Sequence, residues 1–311
     1  MEELPYQQEF KVNKMKKLFL TLLLTLVTGS VALAENLAGP AVKSDFDGDG
    51  RGDFSVFRPT NGMWYMQTYH DGFVAVQFGL DTDKIAPANY DGDSRTDVAV
   101  FRPSSGTWYI QTLLLGFVAV QFGTAEDIPV PADYTGDNRA EIAVFRPSQG
   151  MWYIYNLHTG QFSAFQFGLP GDIPVPNDYD GDRKTDIAVY RPAEGIWYLQ
   201  QSRDGFAAAQ FGLPEDKPIP AHYDQDLKAD IAVFRPSNGT WYMLKSREGF
   251  GAIQFGIATD EPTPTDFDGD QKVDVAVYRD GTWFVQRSQL GFAAYQFGIS
   301  TDIPTPGAFV W

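Results

Sequence analysis

The sequence contains no cysteine, so neither a disulfide nor a thiolate-bound metal is available to stabilise the fold. Histidine is nearly as scarce: His70, His158 and His222 fall at different positions of the repeat described below, which gives no zinc site or catalytic pair. We expect these histidines at the surface. No nucleophile elbow, phosphate-binding loop or zinc motif occurs either. The sequence gives no indication of catalysis, and we expect a protein that is not an enzyme.

Basic residues are in the minority, with 24 lysines and arginines against 40 aspartates and glutamates and a net charge of −16. Nucleic acids and anionic membranes bind to basic surfaces. We therefore expect neither of them as a partner. The surplus of carboxylates indicates bound cations instead.

Long apolar runs are also lacking, apart from one short run near the N-terminus. Lysines precede this run at residues 18–27, and a small-residue cleavage site follows at residues 32–34, which is the pattern of a signal peptide. The run is too short and too rich in threonine for a transmembrane span, which needs about 20 apolar residues. We predict an upstream extension at residues 1–14, a signal peptide at residues 15–34, and no integral membrane segment after cleavage. The protein is then expected in the periplasm, on the cell surface or outside the cell.

Helical periodicity is absent, and one unit of about 44 residues recurs instead. The clearest marker of the unit is a tryptophan followed by a second aromatic residue. These tryptophans are Trp64, Trp108, Trp152, Trp197, Trp241 and Trp283. The six repeats start near residues 40, 84, 128, 173, 217 and 261.

Each repeat predicts four short strands with turn residues between them, as in the fourth copy from Ile173 to Phe211. Apolar residues occupy both faces of the second strand, which indicates burial on both sides. Four-stranded units of this length that need cover on both faces are typical of a β-propeller. We predict an all-β fold with a single propeller at residues 35–311 and a closing strand at residues 302–311. Six blades are favoured, and seven are the alternative.

An acidic loop separates the first and second strands of each repeat. In the first copy it runs from Asp45 to Asp53 as Asp-Phe-Asp-Gly-Asp-Gly-Arg-Gly-Asp, with carboxylates at loop positions 1, 3, 5 and 9. Calcium takes six to eight oxygen ligands, and a glycine-bearing turn with alternate acids can fold them onto one centre, with a main-chain carbonyl at position 7. Position 12 is Val56 rather than the glutamate of an EF-hand, and a strand follows. Each loop therefore predicts a Ca²⁺ site, up to six in all.

The predicted ligands occupy the same loop positions in every copy, and position 7 contributes its main-chain carbonyl. They are Asp45, Asp47, Asp49, Arg51, Asp53, Asn89, Asp91, Asp93, Arg95, Asp97, Asp133, Asp137, Arg139, Glu141, Asp178, Asp180, Asp182, Lys184, Asp186, Asp224, Asp226, Lys228, Asp230, Asp266, Asp268, Asp270, Lys272 and Asp274. Copy three departs from the pattern with Thr135 at position 3 and Glu141 at position 9. Copy five departs with His222 at position 1 and with Gln225. We expect weaker sites in these two copies.

The order of an Asp-x-Asp-Gly-Asp-x-x-x-Asp loop, an apolar strand, a Phe-Gly pair and a proline-rich strand resembles the FG-GAP repeats of integrin α-subunit propellers. It is most similar to their bacterial, VCBS-like relatives. The Phe-Gly pairs end at Gly79, Gly123, Gly168, Gly212, Gly256 and Gly298. The resemblance covers residues 40–311 and implies a calcium-binding, typically extracellular propeller in a family that includes adhesion receptors and some fungal lectins.

The ligand of such a propeller stays open between a glycan and an extracellular protein. The six tryptophans are either blade core or a ring of sugar-stacking sites, and their exposure separates the two. Arg51-Gly52-Asp53 spells an integrin-binding tripeptide, but its place in the acidic loop already explains it. An arginine after each second strand is expected to bond to carboxylates or main chain. The function predicted is a secreted or surface calcium-binding adhesion module, lectin-like in one form; a structural scaffold and a polysaccharide hydrolase or lyase are the alternatives.

Overall fold

A computed structural model of the protein describes residues 43–306. The predicted upstream extension at 1–14, the signal peptide at 15–34 and the last residues of the predicted closing strand, 307–311, lie outside the described residues. Among residues 43–306, no helix is long and apolar enough to cross a membrane.

The described residues form 24 strands. In chain order they are β1 (Phe54–Arg58), β2 (Met63–Gln67), β3 (Phe73–Gln77), β4 (Lys84–Ile85), β5 (Val98–Arg102), β6 (Thr107–Gln111), β7 (Phe117–Gln121), β8 (Ile128–Pro129), β9 (Ile142–Arg146), β10 (Met151–Tyr155), β11 (Phe162–Gln166), β12 (Ile173–Pro174), β13 (Ile187–Arg191), β14 (Ile196–Gln201), β15 (Gly205–Gln210), β16 (Lys217–Pro218), β17 (Ile231–Arg235), β18 (Thr240–Lys245), β19 (Gly249–Gln254), β20 (Glu261–Pro262), β21 (Val275–Arg279), β22 (Thr282–Arg287), β23 (Gly291–Gln296) and β24 (Ile303–Pro304). They assemble into six antiparallel four-stranded sheets, the blades of a six-bladed propeller. The predicted fold is confirmed, and the seven-bladed alternative is wrong.

The first blade is completed by the C-terminal strand, in the order β24-β1-β2-β3. Pro304 pairs with Val56 and Ile303 with Phe57. The repeat predicted to start near residue 40 implied that this blade takes its first strand from its own repeat, outside the described residues. Instead, the strand predicted to close the ring, at residues 302–311, supplies it through Ile303–Pro304, so the two ends of the described chain meet in one sheet.

The innermost strand alternates proline with other residues in five of the six blades, the exception being Lys84-Ile85-Ala86-Pro87 in the second. In Ile128-Pro129-Val130-Pro131, the Val130 N–H donates to the carbonyl of Ala143 on the second strand at 2.8 Å. Proline has no N–H to donate, so it is tolerated at an edge strand where alternate positions face away from the sheet. The strand is an edge of its sheet, which explains the proline-rich pattern.

The second strand of each blade is buried on both faces, as in β5. The six tryptophans stand on the third strand and are 0% exposed. Each indole N–H donates to the carbonyl of the phenylalanine in a Phe-Gly pair, as Trp64 does to Phe78 at 2.7 Å and Trp197 to Phe211 at 2.8 Å. A stacking platform for a sugar needs one open ring face, so the hypothesis that the tryptophans bind sugars is corrected: they are blade core.

The repeated arginines form bidentate ion pairs with aspartates of the turns that precede the first strands. The pairs are Arg58–Asp302, Arg102–Asp83, Arg146–Asp127, Arg191–Asp172, Arg235–Asp216 and Arg279–Asp260. Each guanidinium also lies over a ring of the third strand, as Arg191 does over Tyr198 at 4.4 Å. A structural role was expected for these arginines, but their partners were not identified from the sequence. Each partner aspartate stands four residues after the glycine of a Phe-Gly pair.

Breaking one such pair is expected to destabilise the fold strongly. Asp172→Asn keeps the shape of the side chain but removes the negative charge opposite Arg191. The Asp172 side chain is only 1% exposed, so water cannot replace the lost partner. We expect a loss of about 3 kcal/mol in the free energy of unfolding, as for other buried pairs with one partner removed. The control is Asp204→Asn, which removes an exposed pair with Arg203 and should leave the Tm unchanged. Equal Tm values for the two variants would show that these ion pairs do not stabilise the blades.

Candidate metal centres

Each acidic loop is closed at its base by the acid at position 9. The Asp97 N–H donates to the carbonyl of Ala88 at 2.8 Å, and the side chain of Asp97 accepts a hydrogen bond from the N–H of Tyr90, at position 2, also at 2.8 Å. The matching bond from position 2 to position 9 occurs in all six loops. Position 9 is therefore fixed at the start of the second strand, on the buried side of the loop.

Two residues with positive φ give five of the loops their tight turn. In the first loop they are Gly48 and Gly50, at 75° and 84°, and the same positions 4 and 6 take positive φ in the second, third, fourth and sixth loops. This turn directs main-chain N–H groups at the residue in position 1. Asp178, for example, accepts from Gly181 at 2.6 Å and from Arg183 at 2.7 Å.

The result is a set of compact acidic clusters in which one oxygen of each acid lies within 4.8 Å of the others. The clusters are Asp45, Asp47 and Asp53; Asp91, Asp93 and Asp97; Asp133, Asp137 and Glu141; Asp178, Asp180 and Asp186; and Asp266, Asp268 and Asp274. Each of these groups could hold a metal ion. The donors are all oxygens, which suits hard divalent cations rather than zinc or copper.

Oxygens without a hydrogen-bond partner lie in these clusters. Asp180 and Asp268, at position 3, are 1% and 5% exposed, and each has an unpartnered Oδ1. Asp224, at the same position of the fifth loop, is 0% exposed and also has an unpartnered Oδ1, but among the described residues no second and third acid gather beside it. The Oδ2 atoms of Asp180 and Asp268 are held by the hairpin between the third and fourth strands, through the N–H groups of Arg203 at 2.8 Å and Gln289 at 3.0 Å. A buried carboxylate oxygen without a partner is costly. A bound cation would satisfy it.

The acids at position 9 carry the largest electrostatic strain. Burial, followed by the charges of Asp47, Asp45 and Asp49, raises the pKa of Asp53 to about 8. Burial, again with neighbouring acids, raises the pKa of Asp97 and of Asp274 to about 7. These carboxyl groups need a proton or a cation to be neutralised in the folded state.

Position 5 orders the turn. Its aspartate accepts the N–H of position 7, as Asp49 does from Arg51 and Asp182 from Lys184, both at 2.9 Å. The side chain at position 7 lies over the neighbouring loop: a β-carbon on Gly48 would come within 3.0 Å of the Cγ of Arg95. The main-chain carbonyls of position 7 stay a prediction as ligands.

Hydrogen bonds join the six loops into a closed ring. In every loop the N–H of position 8 donates to the carbonyl of position 1 in the preceding loop, at 2.6 or 2.7 Å. The donors are Gly52, Thr96, Ala140, Thr185, Ala229 and Val273, and the acceptors are Asp266, Asp45, Asn89, Asp133, Asp178 and His222. The ends of the repeat array therefore also meet here, through Gly52 and Asp266.

The third loop gathers its acids in spite of Thr135. The longer side chain of Glu141 reaches the cluster with Asp133 and Asp137. One oxygen of Glu141 is already occupied, because it accepts from Thr135 at 3.2 Å and from Asn156 at 2.8 Å. Thr135 brings no carboxylate to position 3, and the weaker site stays a prediction for this copy.

The fifth loop differs in its backbone. Gln225 and Leu227, at positions 4 and 6, do not take positive φ. Among the described residues, no three-acid group of the kind found in the other loops forms here. His222 at position 1 is only 9% exposed, against the expected surface position, and burial lowers its pKa to about 4. A neutral buried histidine replaces an acid at position 1, and the weaker site stays a prediction for this copy.

No model of a protein family matches the chain, and no curated protein does. Solved structures with the same fold match it. A lectin from Agrocybe aegerita, described for its specific recognition of non-reducing terminal N-acetylglucosamine, is 15% identical with a TM-score of 0.52, over 86% of this chain and 81% of that one. Virginiamycin B lyase from Staphylococcus aureus is 8% identical with a TM-score of 0.51, over 84% of this chain and 88% of the lyase. At such identities the likeness shows the propeller fold alone.

Proposed function

We propose that the protein is an exported, calcium-binding propeller that acts as a non-catalytic binding module. The observation that carries the calcium proposal is the unpartnered, buried oxygen at position 3, in Asp180 and Asp268, beside two further carboxylates. Calcium favours six to eight oxygens in a flexible arrangement, whereas magnesium demands near-ideal octahedral geometry and keeps its waters. A nine-residue loop of acids and carbonyls fits the first preference better.

A binding role is favoured over catalysis because the blades repeat the same chemistry. Ordinary active sites combine an acid, a base or a nucleophile in one place. Here the clustered acids belong to equivalent loops, and His158 donates to the carbonyl of Tyr90 rather than facing a carboxylate cluster. The lyase that shares the fold keeps a propeller-based hydrolase or lyase as the alternative function.

Export rests on the signal peptide predicted at residues 15–34. Outside the cell, calcium sites work at affinities of about 10⁻⁴–10⁻³ M. The lectin with this fold indicates that a propeller can present sugar sites. A glycan is therefore the first partner to test, and an extracellular protein is the second.

Two substitutions at the same loop position test the calcium proposal. Asp180→Asn changes a loop that gathers three acids, and Asp224→Asn changes the fifth loop, which does not. We expect the metal-free protein to take up about five calcium ions, one for each cluster. Asp180→Asn should take up one ion fewer and lose part of the calcium-induced rise in Tm. Asp224→Asn should keep the number of ions bound; calorimetric titration and thermal melts measure both effects.

Two results would contradict this account. A Tm that does not change when calcium is removed from residues 35–311 would exclude structural calcium sites. An equal loss of bound calcium in the two variants would mean that the fifth loop is a site as good as the fourth.

A further inference from the structure

The outermost strand of every blade carries the same exposed triplet, Phe-x-Ala-x-Gln. The triplets are Phe73, Ala75 and Gln77; Phe117, Ala119 and Gln121; Phe162, Ala164 and Gln166; Phe206, Ala208 and Gln210; Phe250, Ala252 and Gln254; and Phe292, Ala294 and Gln296. Side chains two residues apart on a strand share one face. The ring, the methyl group and the carboxamide therefore form a row along the outer edge of each blade, and we call it the rim row.

The rim rows have the same three residues in all six blades, although these residues lie at exposed positions. The phenylalanines are 57–65% exposed, and the alanines and glutamines are exposed as well. The residues between them point to the other face and vary freely, from Val74 and Val76 in the first blade to Gly251 and Ile253 in the fifth. Substitutions at exposed positions usually change stability by less than about 0.5 kcal/mol. Fold stability therefore does not account for the same three residues in all six rows.

Each rim phenylalanine is held in a defined place. Tyr109 lies beside Phe117 with ring centroids 6.3 Å apart, and Phe78 of the preceding blade meets Phe117 edge-on at 6.3 Å. Tyr109 is paired across the strands with Ala119. The small side chain of Ala119 therefore lies beside these two rings, at the boundary between two blades, with Gln121 further along the strand.

The glutamines make hydrogen bonds that differ between the blades. The amide of Gln121 donates to the carbonyl of Ser105 at 3.2 Å, and that of Gln254 donates to Asn238 at 3.4 Å. Each of these two contacts uses one N–H of a carboxamide that has two N–H groups and an acceptor oxygen, whereas Gln296 accepts from the hydroxyl of Thr282 at 2.7 Å. A turn contact of this kind does not require glutamine in every blade.

We propose that the rim rows are six equivalent binding sites for sugar rings of an uncharged glycan. The apolar face of a pyranose would stack on the phenylalanine, the small alanine side chain would leave room for the ring, and the glutamine amide would hydrogen-bond to hydroxyl groups. No residue of the triplets is charged, and the net charge of −16 disfavours acidic polysaccharides. This inference rests on the proposed binding function and gives it a site and a ligand class.

The spacing of the rows favours a glycan over a protein. A stable protein interface buries about 800 Å² on each partner in one continuous patch. The rim rows are separate, one on the outer strand of each sheet, and each offers one ring and one amide. A polymer with repeating units can occupy several such weak sites together, and its avidity then exceeds the affinity of any one site.

The test compares two multiple variants of the full chain on an array of immobilised uncharged oligosaccharides, in about millimolar calcium, the range of extracellular sites. The first variant replaces the rim phenylalanines by alanine at Phe73, Phe117, Phe162, Phe206, Phe250 and Phe292. The matched control replaces exposed aliphatic residues that follow the Phe-Gly pairs, at Leu80, Leu169, Leu213, Ile257 and Ile299, which are 42–52% exposed. The control removes exposed apolar surface but leaves the rim rings.

We expect the wild type and the control to bind the same sugars, and the phenylalanine variant to bind them at least about tenfold more weakly, because the stacking contribution is lost at every site. Replacing the rim glutamines by alanine should weaken binding too, with the Tm unchanged. The calcium-induced rise in Tm is measured on each sample. A variant that keeps this rise has kept its metal sites, so lost sugar binding then reports on the rim rows alone.

Other outcomes overturn the proposal. Equal sugar binding by the phenylalanine variant and the control would place the site elsewhere. A blank array for the wild type, together with a normal calcium response, would reject the sugar sites and leave the calcium proposal standing. Self-association of the wild type that the phenylalanine variant abolishes, without sugar binding, would mean that the rim rows pair with a second copy of the chain.

Discussion

The metal-free protein is expected to become less stable as the pH rises from about 5 to about 8, and calcium is expected to reverse this trend. The pKa of Asp53 is raised from 3.8 to about 8, and that of Asp186 to about 7, in each case first by burial. Without metal, the folded state therefore binds more protons than the unfolded state between these pKa values. Stability then falls with rising pH, since its slope follows the difference in bound protons.

Calcium is expected to reverse this dependence of stability on pH, because it takes the place of the bound protons. It binds the deprotonated clusters, so its affinity, and with it the stability of the loaded protein, increases with pH. We expect the Tm of metal-stripped protein at pH 8 to lie at least about 5 °C below its value at pH 5. With calcium in excess, the order of the two Tm values should be inverted. Thermal melts of dialysed, metal-stripped protein measure this without relying on a chelator that weakens at low pH.

Two substitutions test whether the acidic clusters cause this pH dependence. Asp53→Asn removes the position 9 charge of the first cluster and should reduce the pH dependence of the metal-free protein. Asp81→Asn, at an exposed turn position, should leave the pH dependence as it is. A metal-free Tm that rises between pH 5 and pH 8 would show that the clusters do not bear unfavourable charge.

Ending the chain at Thr301 is expected to abolish cooperative folding, whereas ending it at Pro306 should be tolerated. The shorter chain loses Asp302 and β24, and with them the partner of Arg58 and the inner edge of the first blade. Val56 and Phe57, both 0% exposed, would be uncovered. Removing one partner of a buried ion pair alone costs about 3–5 kcal/mol, a large share of the total stability of an ordinary domain.

The truncation is measured by thermal melts and by limited proteolysis with mapping of the cut sites. Early cuts in the first blade of the chain ending at Thr301 would support the account. Adding a peptide of residues 298–311 should restore protection, because it can supply the missing strand in trans. If the chain ending at Thr301 melted like the chain ending at Pro306, strand β24 would not be the closure of the ring.

The propeller could be predicted because its markers recur in register along the chain. The tryptophans define the repeat, and the apolar second strands require cover on both faces, which only a ring of sheets provides throughout. Whether Trp64 is buried or exposed could not be decided from sequence, since a Trp-aromatic pair is compatible with both. The repeat pattern alone also does not show which end of the chain supplies the first strand of the first blade.

The acidic loops could also be predicted, but their differences depended on backbone conformation. Gln225 and Leu227 occupy the two positions that need positive φ, and this was the signal that the fifth loop turns differently. His222 is buried, which contradicts the expected surface position. The rim rows were present in the sequence, but only the strand order shows that Phe206 stands on a free edge.

The way the ring closes has a consequence for the order of folding. Five blades are built from strands that follow one another in the chain, so their contacts can form early at a small entropic cost. The first blade instead joins residues far apart in sequence, such as Arg58 and Asp302, separated by 244 positions, and Ser44 and Thr305, separated by 261. We therefore expect an open array of formed blades to precede the complete ring, with the meeting of the two ends as the slow step of folding.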